Sequence, residues 1–331
     1  MSAEIKVGVA GLTHGHVGGL INDWKKVGSA RLAAVADSTR LLDGVEGFDR
    51  KYKDWQEMLE TESLDALVIT SDSLESSEIA VQALGKKIPC MVEKPMAANL
   101  ADAERMLAAW KASGVALMIN WPLAWSGWVD DFKKRIDEGQ IGKPFHLRYR
   151  NGHSGPREIG CGPEFVAWLY DEKKNGGGAI GDFGSYGGAV AAYLFGLPEA
   201  VHCVRGNYTK DYEVSDDHSI CLLQYPKASA ILEGTWATAA FDSGPLAVVH
   251  GSEGTLAAWW DRSELTLRGN NREEFESTDV PGKGPAEYFL HCMQTGETPK
   301  GILNPEISAD SCRILDAALR STASGCGEKP K

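Results

Sequence analysis

The chain has 331 residues, 43% of them hydrophobic and 24% charged, with a formal net charge of −12. That length exceeds one typical core, so two domains are expected. The acidic balance argues against nucleic acid or an anionic membrane as partner, and no apolar run approaches the ~20 residues of a membrane span.

The opening stretch "MSAEIKVGVAG" runs straight into a strand pattern with no signal-type leader. Seven scattered cysteines, with no C-x-x-C, read as free thiols in a reducing compartment. A cytoplasmic protein is therefore expected. Strands are predicted at 5–10, 31–36, 65–70, 88–93 and 115–120, with helical patterns at 16–27, 54–62, 74–85 and 99–113. Near-continuous apolar strands separated by helices predict a parallel sheet buried on both faces. In such a sheet the ligand lies at the carboxyl ends of the strands. Those ends are Gly11–His16, Asp37, Thr70–Ser71, Glu93–Lys94 and Asn120.

The second half changes character. "KPFHLRYRNG" alternates Phe145, Leu147 and Tyr149 against His146, Arg148 and Arg150, as a half-buried strand does. A helix near 163–171 and the glycine-rich "NGGGAIGDFGSYGG" follow. Then come "AVHCVRGN", "DHSICLLQY", "ASAILEGTW", "PLAVVHG", "TLAAWW" and "ELTLR", and helices near 285–296 and 305–323. Such an order predicts an α+β domain with one largely antiparallel sheet. The boundary is placed at "NWPLAW", giving a dinucleotide-binding domain over 1–120 and a second domain over 121–331.

Three motifs carry chemistry. In "VGVAGLTHGHVGG" a strand enters a glycine turn and a helix follows, the place where a dinucleotide diphosphate rests on backbone N–H groups. Gly11, Leu12, Thr13, His14 and Gly15 are its candidate contacts. The G-x-G-x-x-G spacing is broken by Thr13 and His16, and the Thr13 hydroxyl offers itself to a phosphate oxygen. His14 and His16, i,i+2 in a turn with no nearby third ligand, do not read as a metal site, and no metal is expected. Asp37 ends the second predicted strand, where an acid accepts the adenosine ribose hydroxyls and repels a 2′-phosphate. NAD is therefore expected over NADP. In "CMVEKPMA", Glu93 and Lys94 leave the fourth predicted strand at the ligand edge, and a lysine over a nicotinamide can stabilise a developing alkoxide.

The glycine turn, the acid ending the second strand, "EKP" and "GGGAIGDFGSY", in that order and spacing, resemble the Gfo/Idh/MocA oxidoreductase family. So do "GQIGKPFHLRYR", "HGSEGTL" and "FLHCMQTGETP" with "RILDAALRSTASG", so that the resemblance covers nearly the whole chain. It implies a Rossmann domain followed by an α+β domain with a large open, mostly antiparallel sheet. That sheet would form a homodimer or homotetramer. The family's second motif places an aspartate, and four residues later a histidine or tyrosine, beside the nicotinamide; Asp182 and Tyr186 fall there. The tyrosine version is similar to the branch of glucose–fructose oxidoreductase and the dimeric dihydrodiol and xylose dehydrogenases. The catalytic set implied is Lys94, Asp182 and Tyr186. Lys94 is expected to lower the Tyr186 pKa so that the phenol shuttles the hydroxyl proton.

The function implied is hydride transfer between NAD(P) and a sugar, cyclitol or polyol derivative. The alternatives are an NAD-dependent glycosidase of the same fold and a non-catalytic nucleotide- or sugar-binding regulator. Thr70, Ser71, Glu93 and Asn120 complete the cofactor contacts expected; His153, Arg157, Trp121 and Trp168 are the substrate candidates. The short span from Asp37 to Tyr52 predicts a truncated helix after the second strand. Asp216, Asp217 and His218 read as sheet-edge polarity.

Overall fold

The computed structural model describes residues 4–239, 244–269, 271–277 and 282–331. Its first sheet has six strands: β1 (Ile5–Ala10), β2 (Ala30–Ala36), β3 (Arg50–Tyr52), β4 (Ala66–Ile69), β5 (Cys90–Glu93) and β6 (Leu117–Asn120). Their order is β3-β2-β1-β4-β5-β6, and every pairing is parallel. Because helices cover both faces, the central strands are apolar throughout; all four residues of β4 and of β5 are buried. Helix starts are set by side chains that take up free N–H groups. Asp54, Asp72 and Asn99 accept the N–H of Glu57, Glu75 and Asp102, as N-caps do.

The second sheet has eight strands: β7 (Pro144–Gly152), β8 (Ala200–Gly206), β9 (His218–Gln224), β10 (Ser229–Thr235), β11 (Ala247–Gly251), β12 (Gly254–Ala258), β13 (Ser263–Leu267) and β14 (Asn271–Phe275). The order is β14-β13-β12-β11-β7-β10-β9-β8, antiparallel except where β10 pairs with β7. The helix Ser185–Phe195 packs on its inner face, close enough that a Cβ at Gly187 would meet Leu232 at 3.1 Å. The long helix Pro305–Ser324 lies against both halves: Ser308 accepts the Trp121 indole N–H, and Arg313 pairs with Glu104.

The predicted strands and helices are present within a few residues of their expected bounds. The expected truncation after β2 is a single turn, Leu41–Gly44, followed by β3. Phe145 departs from its predicted face: Leu147 and Tyr149 are buried, but Phe145, at the start of β7, is half exposed. Strands β3 and β14 and the helix Trp128–Asp137 were not foreseen. β14 reads "NREEF", too charged to show alternation, and holds the sheet edge through Arg272 on Glu264.

Candidate active site

The turn after β1 is shaped by close approach. Gly11 has φ +86, and a Cβ there would sit 2.4 Å from the Ser71 nitrogen, so only glycine lets β1 and β4 deliver their ends together. Thr70 locks the turn from β4: its hydroxyl donates to the Gly11 carbonyl at 2.6 Å, and its own carbonyl accepts the His14 N–H. Ser71 is spent on Glu75. Asp37 is buried at the end of β2, with one oxygen accepting the Leu12 N–H at 2.6 Å and the other accepting the Thr39 N–H and hydroxyl. Each carboxylate oxygen keeps further acceptor capacity.

Beside this turn runs a cleft of about 890 Å³, lined by Gly11, Thr13 and Asp37 from the first domain and by Trp168 and Lys174 from the second. Two ion pairs cross it, Arg40–Glu164 at 2.8 Å and Lys174–Asp72 at 3.2 Å. Two buried donors near it have no partner, His14 Nε2 and Trp168 Nε1, on rings whose centroids are 5.7 Å apart. His14 Nδ1 accepts the His16 N–H, which leaves the proton of the neutral ring on Nε2. A glycine cradle, a carboxylate at the β2 end and unspent buried donors fit an acceptor-rich dinucleotide.

Glu93 and Lys94 follow at the end of β5. Glu93 is held from two sides: His16 Nδ1 lies 2.8 Å from Oε1, and Asn120 Nδ2 donates to Oε2 at 2.7 Å. Asn120 in turn accepts the Trp125 indole N–H. Lys94 Nζ donates to Asp182 Oδ1 at 2.8 Å and lies 4.7 Å from the centre of the Tyr186 ring. The Trp236 indole donates to the other Asp182 oxygen at 3.1 Å. Thus three residues from distant parts of the sequence meet in one buried knot.

The segment carrying Asp182 is not an ordinary helix. Ile180–Gly184 forms a π turn that runs into the helix Ser185–Phe195. Such turns are rare and concentrate at functional sites. The turn is pinned by Asp216, which accepts the N–H groups of Gly178 and Ile180 and pairs with Arg205 at 3.0 Å. A Cβ on Gly178 would lie 2.0 Å from the Asp216 carbonyl oxygen, which explains the glycine run. Asp216 is therefore a buried anchor and not sheet-edge polarity. Asp217 likewise caps the loop at Tyr208 and Thr209.

The electrostatics of the knot favour a charged pair beside a neutral phenol. Burial alone would lower the Lys94 pKa, but Asp182, with Tyr186 and Glu93, holds the ammonium above its ordinary value. Burial alone would raise Asp182, and Lys94 brings it below the usual carboxylate range. Tyr186 goes the opposite way from the expectation. Burial raises its pKa, Asp182 and Glu93 add to the rise, and the Lys94 ammonium only partly offsets them. His153 is lowered, chiefly by burial, with Asp182 opposing.

The substrate candidates separate. His153 stays near the knot, its ring edge-on to Phe183 at 5.0 Å. Trp121 is fully buried under Tyr186, edge-on at 5.2 Å, so it supports the phenol and offers no open face for a sugar. Trp168 stands at the dinucleotide cleft and packs on His14. Arg157 does not join: its guanidinium lies 4.0 Å over the Tyr212 ring, an outer-loop contact. The premise that excluded a metal also fails, because Glu93 is a third ligand-type group beside His14 and His16. Trp236 and Trp125 are not among the expected site residues, and His16 lay in the expected ligand-edge stretch without a cofactor contact assigned to it. Only the His16 position, where a glycine was expected, carried a signal.

Comparison with known proteins agrees with this fold. Residues 5–121 match the oxidoreductase family, NAD-binding Rossmann fold, and residues 129–257 match the GFO/IDH/MocA C-terminal domain. The chain is 25% identical to D-apiose dehydrogenase of Paraburkholderia graminis over 303 residues, covering 85% of this chain and 78% of that protein. It is 28% identical to the NADP+ D-xylose 1-dehydrogenase of Haloarcula marismortui, over 75% of this chain and 70% of that protein. Identity to myo-inositol 2-dehydrogenase of Thermotoga maritima is 30%, and that match spans about half of either chain, 46% of each. In fold, the chain superposes on WlbA dehydrogenase of Bordetella pertussis, solved with NADH and UDP-GlcNAcA, with a TM-score of 0.84 at 21% identity, covering 99% of this chain and 98% of that one. It also superposes on an oxidoreductase of Agrobacterium radiobacter, solved with NAD+, L-tartaric acid and magnesium, with a TM-score of 0.81 at 19% identity, covering 99% and 98%. With residues 5–121 and 129–257 matched by the models of its two domains, the chain belongs to the Gfo/Idh/MocA family of NAD(P)-dependent oxidoreductases.

Proposed function

We propose that the protein transfers hydride between a nicotinamide cofactor and a CH–OH group of a sugar, cyclitol or related polyol, with Lys94, Asp182 and Tyr186 as the reacting set. The observation that carries the reading is the Lys94 ammonium at the carboxyl edge of β5, fixed by Asp182 and facing the Tyr186 ring. The cofactor, when bound, supplies the hydride acceptor or donor. Lys94 donates to the reacting oxygen and stabilises charge that develops there. Tyr186, neutral because of its burial, is a second donor to that oxygen: in reduction it gives the oxygen its proton as hydride arrives from the cofactor, and in oxidation the hydroxyl proton returns to the deprotonated Tyr186 oxygen as hydride leaves. Asp182 holds Lys94 charged and aimed. Trp236, hydrogen-bonded to Asp182, fixes that carboxylate.

Gly11, Leu12, Thr13, His14, Gly15, Thr70 and Ser71 form the diphosphate turn, directly or by shaping it. Asp37 takes the adenosine ribose and disfavours a 2′-phosphate, so NAD is the preferred cofactor. Asn120 orients Glu93. Trp168 moves from the substrate group to the cofactor side, on its place in the cleft wall and its unspent indole N–H. The dinucleotide domain is taken as 1–120 and the second domain as 121–331.

The outer face of the second sheet exposes Val204, Ile220 and Leu222 in neighbouring strands β8 and β9, which supports pairing of copies through that face. Light scattering on the purified chain tests it, and a monomer at working concentration sinks it. All seven cysteines are free and most are buried, which supports a reducing location such as the cytoplasm. Among the described residues no helix is long and apolar enough to cross a membrane.

The test of function is NADH formation with a panel of aldoses, cyclitols and polyols. Cofactor binding with neither NADH formed from any of them nor NADH consumed by the matching carbonyl compounds overturns the assignment.

A further inference from the structure

The turn after β1 brings together a second set of groups that take no part in the hydride-transfer step itself, although His14 and Glu93 also border the cofactor turn. The rings of His14 and His16 stand side by side with centroids 4.8 Å apart, and Glu93 reaches them from the end of β5, 77 positions away from His16 in the chain. One nitrogen of each ring and one carboxylate oxygen all lie within 4.8 Å of one another. His14 is 3% exposed and its Nε2 has no hydrogen-bond partner. The His16 side chain is 44% exposed, so the cluster is walled by protein on the His14 and Glu93 sides and open on the third.

We infer that His14, His16 and Glu93 form a site for a divalent transition-metal ion, bound through two imidazole nitrogens and one carboxylate oxygen. The site is empty here. Two borderline nitrogens and one hard oxygen suit first-row ions of the Zn²⁺ or Co²⁺ kind better than Mg²⁺ or Ca²⁺. Three protein ligands leave coordination positions open on the exposed His16 side, as in sites where an ion also meets a small ligand.

Donors around such an ion stand about 3–3.5 Å apart, given metal–ligand bonds of ~2.0–2.2 Å. His16 Nδ1 and Glu93 Oε1, at 2.8 Å, stand slightly closer than that, and their contact would open to admit the ion. The adjustment falls on the partly exposed His16 ring, which would exchange its 2.8 Å contact with Glu93 for the ion. The Glu93 carboxylate is oriented from behind by Asn120, itself held by Trp125, as metal-binding carboxylates are.

Two features oppose the ion, and neither prevails. His14 Nδ1 accepts the His16 N–H at 3.2 Å, so an ion on Nε2 moves the ring proton to Nδ1 and ends that bond. That loss is one neutral hydrogen bond, small beside a three-ligand coordination. Lys94, next in sequence to Glu93, carries a positive charge. Asp182 sits 2.8 Å from that ammonium and neutralises most of its field.

The experiment uses the full chain, stripped with chelator and dialysed, without cofactor or substrate. Co²⁺ is titrated while its d–d absorption is followed, and uptake is counted by equilibrium dialysis with elemental analysis. About one equivalent is expected, displaced by Zn²⁺. His16→Ala is the primary variant, because its ring is exposed and the fold should survive; circular dichroism checks this. It and Glu93→Gln should each weaken uptake at least about tenfold, a typical cost of losing support at a metal site. His250→Ala, on β11 of the second sheet, should change nothing. No stoichiometric uptake by the parent overturns the site, as does equal uptake by the parent, His16→Ala and Glu93→Gln. The readout involves no turnover, so its failure leaves the hydride-transfer reading standing, and failure of that reading leaves this one standing.

Discussion

The buried knot around Lys94 and the turn after β1 use their polar groups in opposite ways. Around Lys94 every charge already has a partner: Asp182 meets the ammonium, Trp236 meets the remaining Asp182 oxygen, and Trp121 fills the space under Tyr186. Around the β1 turn, His14 Nε2 and Trp168 Nε1 are buried with nothing to bond. Leaving a buried donor unbonded costs about 1–3 kcal/mol, which a ligand seated at the turn would recover. The first region is organised before anything binds, as electrostatic catalysis requires. The second is completed by what binds. Substitutions should therefore divide cleanly between turnover and affinity.

The sharpest test of that division is Lys94→Ala. It should lower kcat by about 10²–10³-fold, the usual cost of one donor to a developing oxyanion, with cofactor affinity nearly unchanged. It also leaves Asp182 buried without its counter-charge, so the melting temperature should fall. Steady-state kinetics, a fluorescence titration with NADH and a thermal melt read all three. An unchanged kcat on the true substrate refutes the role.

Tyr186→Phe comes next. It keeps the ring and the contact with Trp121 and removes one hydroxyl donor, so turnover should fall by about 10²-fold with the fold intact. Because burial raises the phenol's pKa, no limb of the parent's pH–rate profile below the ordinary value of about 10 should belong to it. Loss of an alkaline limb in Tyr186→Phe would restore the phenolate shuttle that the sequence suggested.

Smaller effects belong to the binding end. Asp37→Ser should narrow a preference for NAD over NADP of at least about tenfold, since the acid repels the 2′-phosphate. Both cofactors should also bind more weakly, because Asp37 holds the Leu12 and Thr39 N–H groups in place. Tighter NADP than NAD binding by the unmodified protein would contradict this. Trp168→Phe should weaken cofactor binding by about tenfold or less, one hydrogen bond's worth, and leave kcat alone. A fall in kcat instead would return Trp168 to the substrate side.

How much of this was legible depended on the range over which each signal acts. The parallel sheet could be read because β1, β4 and β5 are apolar runs bounded by turn residues, and local composition suffices for that. Lys94, Asp182 and Tyr186 were found because a resemblance in order and spacing joined residues that no local rule connects. What stayed hidden were partners set by the tertiary fold. Trp236 looks like any aromatic ending a strand until Asp182 is placed beside it. Asp216 looks like surface polarity until the Gly178 backbone closes on it. The pKa direction of Tyr186 was misjudged for the same reason: the charge of Lys94 was visible in the sequence, and the burial that outweighs it was not.

The ion pairs Arg40–Glu164 and Lys174–Asp72 have a further consequence, for kinetics. They fasten the second domain's 163–175 segment across the mouth of the dinucleotide cleft, with both cations substantially exposed. Exposed pairs of this kind are weak, each about 0–1 kcal/mol, and they are screened over a Debye length of about 10 Å at 0.1 M salt. They add little to stability, yet in the proposed binding mode the cofactor passes them on the way in and out. Added salt should accordingly speed cofactor release, which in many dehydrogenases limits the overall rate. Stopped-flow release of NADH across a salt series would reveal this gate, and release rates flat with ionic strength would remove it.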